Sequence, residues 1–388
     1  MNTLHPDMDT RQTGQGSTAA VHKVVATLPE KAEGKAAGHE IATHAEVARR
    51  VAALKGCDFA GEFDKDYHYG APVYFLPSDT LIDCERIRDA GIRCEHDLFG
   101  GVVPQAFVAT KTITHMLPGP LSPAPEGWSP VFGSKVQEVV LPGYSAFNLH
   151  DARDAGARML ERGTLRLKKA SGVGGLGQWV VRSVHELDDL LHSMQPRDIE
   201  RDGVVLEINL SEVVTLSVGQ VKVGPHVATY YGEQRLTRNN RGEEVYGGSD
   251  LVVVRGGFEE LLALGLEPDV RTAVSQACTY HAAAMSCFPK LFASRSNYDI
   301  AQGIDGEGKW RSGVLEQSWR VGGASGAEIA ALEAFHADSR LQTVKASTFE
   351  YYGDDVQLPA DAVLYFQGED ERVGRITKYA RLEAYEHT

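Results

Sequence analysis

Long apolar runs are absent from this 388-residue chain. No window approaches the roughly eighteen uninterrupted apolar residues that a membrane-crossing helix needs. The polar start MNTLHPDMDTRQTGQGST also lacks the apolar core of a secretion signal. Neither membrane insertion nor secretion is expected, and the cytoplasm is the expected location. Basic charge is scarce as well: 39 Lys and Arg against 53 Asp and Glu leave a formal net charge of −14. That balance disfavours a nucleic-acid partner, whose backbone calls for clustered cations on a basic background, but it leaves room for a basic pocket around one nucleotide. Cysteine is sparse. The five, Cys57, Cys84, Cys94, Cys278 and Cys287, form an odd set without a C-x-x-C pair, which argues against a disulfide framework, a zinc ribbon or a cysteine-held cluster. They read as reduced core residues.

What is present is apolar content of 43% in a chain long enough for two or three packed layers. Residues 1–19 carry no periodicity and read as a disordered tail. From there HKVVATL reads as a strand and THAEVARRVAALKG as a helix, with Thr43 and Glu46 as a capping box and Gly56 as the stop. PVYFLPS and DCERIRDAGI repeat the alternation, which predicts a small parallel α/β domain over residues 20–105. The stretch 116–130 holds five prolines and two glycines in fifteen residues and cannot be regular structure. After it come a strand QEVVLP, a helix opened by Asn148 with Asp151, a strand LRLKKAS and a second helix opened by Ser183 with Glu186. The middle of the chain alternates Val, Leu, Thr and Tyr in runs that favour a largely antiparallel sheet. A long helix is expected over 268–286. NYDIAQGI and KWRSGVLEQS read as strands flanking a turn at Asp305 to Gly308, and the remainder as a helix and a terminal strand.

The stretch TLRLKKASGVGGLGQWVVRS spells G-x-G-x-x-G at Gly172, Gly174 and Gly177. A dinucleotide fold would need a helix directly after it, so that the helix N-terminus faces the pyrophosphate. QWVV is strand-like instead. No Lys follows Gly177, which removes the Walker loop, and the H-R-D and D-F-G signatures of a protein kinase are missing. A G-x-S-x-G hydrolase elbow is missing too. What remains is a glycine hairpin with a lysine, Lys169, on the strand that enters it. Its backbone N–H groups can fold over phosphate oxygens.

LKKASGVGGLGQWVV resembles the glycine loop of ATP-grasp enzymes, in particular the biotin-carboxylase type, and the likeness continues in order down the chain. VVLEINL is similar to the hinge strand of that fold, and NYDIAQGIDGEGKWRSGVLEQSWRVGG to its metal strand pair. The chain as a whole is also similar to a bacterial family known only as a domain of unknown function. The resemblance implies an α/β (α+β) ATP-grasp fold, with a small parallel α/β pre-ATP-grasp domain at 20–105. It further implies an N-terminal subdomain at 106–205, a C-terminal subdomain at 206–345 and an extension at 346–388. It places Lys169 on the α/β-phosphates, and Ser171, Gly172, Gly174, Gly175 and Gly177 over the β/γ-phosphates. Glu207 to Leu210 would form the adenine hinge, with Glu212 or Thr215 near the ribose. Asp299, Glu316 and Ser318 would ligate Mg²⁺, for which Mn²⁺ could substitute. Arg320, with Arg295 four residues before Asp299, would stabilise the transferring phosphoryl group. Ser318 stands where the family has Asn, a weaker ligand in its place.

Two lysines fit the fold's first phosphate position. Lys111 in VATKTITH sits at a helix opening, Lys135 in FGSKVQE lies nearer the loop, and the former is favoured. The implied activity is a carboxylate–amine ligase acting on small molecules with ATP through an acylphosphate, with a homodimer allowed. A regulatory ATP-binding protein and a small-molecule kinase or carboxylase are the rival readings. His115, and the pair His96 and Asp97, show no matching partners in the sequence, and His281 reads as a packed helix residue. Residues 230–250 read as a solvated hairpin from which Glu233, Arg235 or Arg238 could face a carboxylate substrate.

Overall fold

A computed structural model describes residues 22–29, 37–170, 177–354 and 356–383. The expected tail at 1–19 lies outside the described residues. Near its start the chain alternates β1 (Val24–Leu28), α1 (Gly38–Lys55), β2 (Asp58–Glu62) and β3 (Val73–Pro77). These strands pair in parallel in the order β2-β1-β3, as expected from a strand and helix alternation. Helix α1 ends at Gly56, whose φ of 63° is the left-handed conformation that a glycine takes without strain. Its start differs from the expected capping box. The helix opens five residues before Thr43, with Glu40 accepting from the Ala37 N–H at 3.0 Å, and Thr43 instead donates to the His39 carbonyl at 2.8 Å.

The strands β4 (Leu81–Ile82) and β5 (Gly101–Val103), with α2 (Glu85–Asp89) between them, lead to two short 3-10 turns, Ala106–Ala109 and Lys111–Thr114. The chain then runs through α3 (Pro130–Val136), β6 (Gly143–Ala146), α4 (Leu149–Leu160), β7 (Leu165–Lys169), β8 (Gln178–Val181), α5 (Val184–His192), α6 (Pro196–Asp202) and β9 (Val204–Ile208). Asn148 and Ser183 cap α4 and α5, as their sequence spacing indicates. QEVVLP is not a strand. The Val139 N–H closes a turn onto Val136, and only Val140 makes an isolated bridge to Val314 before Pro142 interrupts the run.

The remaining elements are β10 (Ser211–Val223), β11 (His226–Arg238), β12 (Glu244–Arg255), α7 (Phe258–Leu262), α8 (Pro268–Cys287) and β13 (Phe292–Ala293). They continue with β14 (Arg295–Ile304), β15 (Trp310–Ser318), α9 (Ser325–Ala337), β16 (Thr343–Tyr352), β17 (Val363–Asp370) and β18 (Gly374–Glu383). Among the described residues an eight-stranded sheet runs β15-β14-β10-β11-β12-β16-β18-β17, and a four-stranded sheet runs β6-β9-β7-β8. The described residues after 345 carry β17, β18 and most of β16. These strands continue the large sheet antiparallel to β12, and Phe349, Tyr351 and Tyr379 stack across it.

Alternation along the large sheet's strands sends one set of apolar residues to each face. On one face Tyr230, Leu251, Val253 and Ala346 pack with α1 and α9; on the other Leu216, Val218, Tyr298 and Ile300 pack with α3 and α8. The smaller sheet has its own core, in which Leu165, Leu167 and Leu206 meet Leu187 and Leu191 of α5. The 3-10 turns at 106–114 pass between the two sheets. Their last residues are held to β6 by the Ser145 hydroxyl, which donates to the Thr112 carbonyl at 2.6 Å.

Candidate nucleotide and metal site

Antiparallel pairing of β14 with β15 sets Asp299 opposite Glu316 and Asn297 opposite Ser318. All four lie on the same face by the two-residue period of strands. Three donors meet on one oxygen of Asp299: Gln234 Nε2 and Asn297 Nδ2 at 2.8 Å each, and Ser217 Oγ at 3.3 Å. Oδ2 takes no hydrogen bond among the described residues. Burial and the neighbouring Glu316 charge push the Asp299 carboxyl above the usual carboxylate range. Two acids side by side in a low-dielectric site favour a cation between them. Lys111 already supplies one, its Nζ lying 2.7 Å from Glu316 Oε2. Among the described residues no group of three or more His, Cys, Asp and Glu converges. The donor set is instead two carboxylates and a hydroxyl, all oxygen, which fits Mg²⁺ completed by phosphate oxygens and water.

Behind this face lies a buried network. Arg295 is 2% and Glu328 of α9 is 0% exposed, and the guanidinium donates to both carboxylate oxygens at 2.8 to 3.2 Å. Its remaining nitrogen donates to the Arg320 carbonyl at 2.5 Å and to Ser318 Oγ at 3.3 Å. Tyr230 Oη lies 2.5 Å from Glu328 Oε1 and 2.9 Å from Asn297 Oδ1; its one proton serves either acceptor. Arg295, for which the sequence suggested a catalytic role, directs its donors at Glu328, Ser318 and a backbone carbonyl. Arg320 differs: it is about one-third exposed, and its Nε is 3.8 Å from Asp79.

The second cluster joins the smaller sheet to the same 3-10 turns. Glu207 of β9 is fully buried, paired with Lys168 of β7, and 3.3 Å from His115 Nε2. Burial opposes the charge, but Lys168 and His115 outweigh it and hold the carboxyl down at about 2. Leu165 and Leu167 face α5, so the period of two turns Lys168 toward Glu207 and Lys169 away from it. Lys169 is exposed. Its Nζ stands 5.7 Å from the Trp179 ring, beside a groove lined by Met194, Asp198 and Asp202 of the α6 region. Of the two adjacent lysines, Lys168 is the one on the Glu207 side of the strand.

Gly177 closes the β7–β8 hairpin at φ 71°, its carbonyl accepting from the Lys169 N–H at 2.8 Å. Ser171, Gly172, Gly174 and Gly175 lie outside the described residues. Leu210 is buried against Leu141 and Ala301. Glu212 is exposed in a left-handed conformation, φ 52°, within an irregularity of β10. Lys135 points elsewhere, donating to Ser286 Oγ of α8 at 3.0 Å. Arg235 is paired with Asp250 and packed over Phe349, and Arg238 bonds the Gly242 carbonyl. His281 sits against Tyr298, 2.7 Å from its hydroxyl, and burial lowers it to about 4.

The sequence reading missed Lys168, His115, Asn297, Gln234, Ser217, Tyr230 and Glu328. Alternation in LRLKK carried the signal for Lys168, and the two-residue spacing before Asp299 carried it for Asn297. The others arrive from distant elements.

The sequence pattern of the family described as Protein of unknown function (DUF3182) matches residues 27–380. The chain belongs to this family. No curated protein matches it in sequence. Solved structures resemble the family member in fold, two of them as follows. N5-carboxyaminoimidazole synthetase from Staphylococcus aureus, complexed with ADP, has a TM-score of 0.52 at 10% identity over 95% of this chain and 96% of the other. The biotin carboxylase domain dimer of Hydrogenobacter thermophilus 2-oxoglutarate carboxylase, in complex with MgADP, ADP and bicarbonate, has a TM-score of 0.51 at 12% identity over 93% and 86%. Both are ATP-grasp enzymes, and this family member has the ATP-grasp fold. None of its described helices is long and apolar enough to cross a membrane.

Proposed function

We propose that the chain is an ATP- and Mg²⁺-dependent ligase that joins a small carboxylate to an amine. The observation that supports it most is the Asp299 and Glu316 pair on facing strands, with Lys111 on Glu316 and an oxygen of Asp299 open beside it. In this reading Asp299, Glu316 and Ser318 hold Mg²⁺, which when bound offsets the β/γ-phosphate charge. Lys111 and Lys168 neutralise the rest of the polyphosphate, with Lys168 in the role first given to Lys169. The glycine loop covers the nucleotide, and Glu207 to Leu210 form the adenine hinge.

A carboxylate oxygen bonds to Pγ as the bond from Pγ to the bridging oxygen breaks, releasing ADP. The amine nitrogen then bonds to the acyl carbon, the phosphate leaves with the electron pair of the broken C–O bond, and the nitrogen gives up its proton. Arg320, near the exposed Asp79 and about one-third exposed itself, would face the negative charge that develops in both steps. A second reading, a nucleotide-binding protein of regulatory role, draws support from Ser318, whose hydroxyl is engaged by Arg295.

The deciding experiment measures ADP release with Mg²⁺ while carboxylate and amine pairs are varied. Release that needs both substrates supports the ligase. Release with a phosphorylated or carboxylated product and no amine turns the assignment to a kinase or carboxylase. AMP and pyrophosphate as products reject the acylphosphate. Glu316→Ala binding Mg-ADP as tightly as the wild type would remove the site itself.

A further inference from the structure

Gln317 lies between Glu316 and Ser318, so its side chain leaves β15 on the opposite face. There it is 5% exposed. Its Nε2 donates to the Val108 carbonyl at 2.9 Å and the Thr110 carbonyl at 2.8 Å. Two carbonyl acceptors on one side fix the amide orientation, since only the NH₂ end can meet both. The other end, Oε1, accepts from the Tyr280 hydroxyl at 2.9 Å. Thr114 completes the arrangement, its Oγ1 lying 3.0 Å from Tyr280 Oη and 3.3 Å from the Leu315 carbonyl. The 3-10 turn that carries Lys111 is thus fastened to β15 at both ends: Thr110 through Gln317, and Thr114 through Tyr280 and Leu315. Between the fastenings Lys111 reaches Glu316.

We infer that Gln317 is a positioning residue for nucleotide binding. It sets the height of the Lys111 turn over the acid strand, so that the ammonium meets the phosphate and metal end of the nucleotide. The inference rests on reading Lys111 and Glu316 as part of an ATP site. A glutamate at this position would aim a carboxylate oxygen at two carbonyl oxygens, and a leucine would leave both carbonyls and the Tyr280 hydroxyl without their partner.

The test is calorimetric titration of the full chain with Mg-ADP and separately with adenosine, for Gln317→Leu, Lys111→Met and the double variant. Lys111→Met is expected to weaken Mg-ADP roughly tenfold, and Gln317→Leu by about fivefold to tenfold; the double variant falls no further than Lys111→Met, because both act on one contact. Adenosine, which has no phosphate, binds Gln317→Leu as it binds the wild type. A merely structural role would weaken both ligands alike, or add to the effect of Lys111→Met, and either outcome overturns the inference while leaving the nucleotide site in place. Unchanged Mg-ADP affinity in Lys111→Met removes the nucleotide reading itself, and the inference with it. Should Gln317→Leu fail to fold, Tyr280→Phe removes the hydroxyl that Gln317 Oε1 and Thr114 Oγ1 share, loosening both fastenings of the turn. It is expected to weaken Mg-ADP about twofold to threefold with adenosine unaffected; no change there counts against the inference.

Discussion

Removing Glu328 should strand a charge in the core. Arg295 is 2% exposed and directs three contacts of 2.8 to 3.2 Å at that carboxylate. Glu328→Ala leaves the guanidinium buried without its counter-ion and takes one of the two acceptors near Tyr230. Breaking a buried pair from one side costs about 3–5 kcal/mol. At about 2.1 cal/mol/K per residue, each kcal/mol moves Tm of a chain of 388 residues by roughly 1 °C, so a fall on the order of 5 °C is expected. Replacing both partners, Arg295→Met with Glu328→Leu, removes the stranded charge and should recover most of that loss, within about 2 kcal/mol of the wild type. Thermal unfolding followed by circular dichroism, at fixed protein concentration with and without Mg-ADP, measures all three proteins. The reasoning fails if Glu328→Ala unfolds within about 2 °C of the wild type, or if the double variant is no more stable than the single. ADP release lost in a stably folded double variant would return Arg295 to the catalytic role its sequence position suggests.

The Glu207 carboxyl sits at about 2 in the fold against an ordinary 4.5, so its ion pair contributes about 3 kcal/mol that is present above the unfolded value and is lost as pH falls from about 5 to 2. Glu207→Gln should flatten that acid limb in a denaturation series taken at stepped pH. For Asp299 the direction is opposite: its carboxyl is held above the ordinary range by burial and by Glu316, so on the proposed reading, at any pH where it still carries its proton, Mg²⁺ with nucleotide should displace that proton and bind more tightly as pH rises. Calorimetry in buffers of different ionisation heat would register that proton, and Asp299→Asn should abolish its release while weakening Mg-ADP about tenfold. Lys169→Met should bind Mg-ADP within about twofold of the wild type, whereas Lys168→Met should lose tenfold or more, roughly one phosphate contact. Equal losses from the two lysines would contradict the face assignment.

What the sequence made legible is what depends on neighbours in the chain. The Asn148 and Ser183 caps, the stop at Gly56 and the hairpin from Arg295 to Ser318 each follow from a few adjacent residues, and the structure has them. Misreadings arise where a local signal meets a distant competitor. Thr43 has the spacing of a cap, but α1 begins upstream, where Glu40 already serves the Ala37 N–H. QEVVLP has strand composition, but its first residues close the turn after α3 and its proline interrupts the run. The site divides in the same way. Asp299 and Glu316 are joined by a hairpin and could be paired from the sequence. Glu207 and His115 are ninety-two residues apart and meet only when the smaller sheet closes over the 3-10 turns. Glu328 sits in SGAEIAALEAFHA as a polar interruption of an apolar helix, unremarkable until Arg295 arrives from a strand thirty-three residues earlier. The two lysines before the glycine loop carry the most consequence. A motif matched by spacing selects Lys169, because it stands next to the loop, yet which lysine faces Glu207 is set by the strand's phase. Leu165 and Leu167 fix that phase by packing on α5. Where a motif's spacing and a strand's apolar phase point to different residues, burial decides the direction of the side chain, and here it turns Lys168 inward.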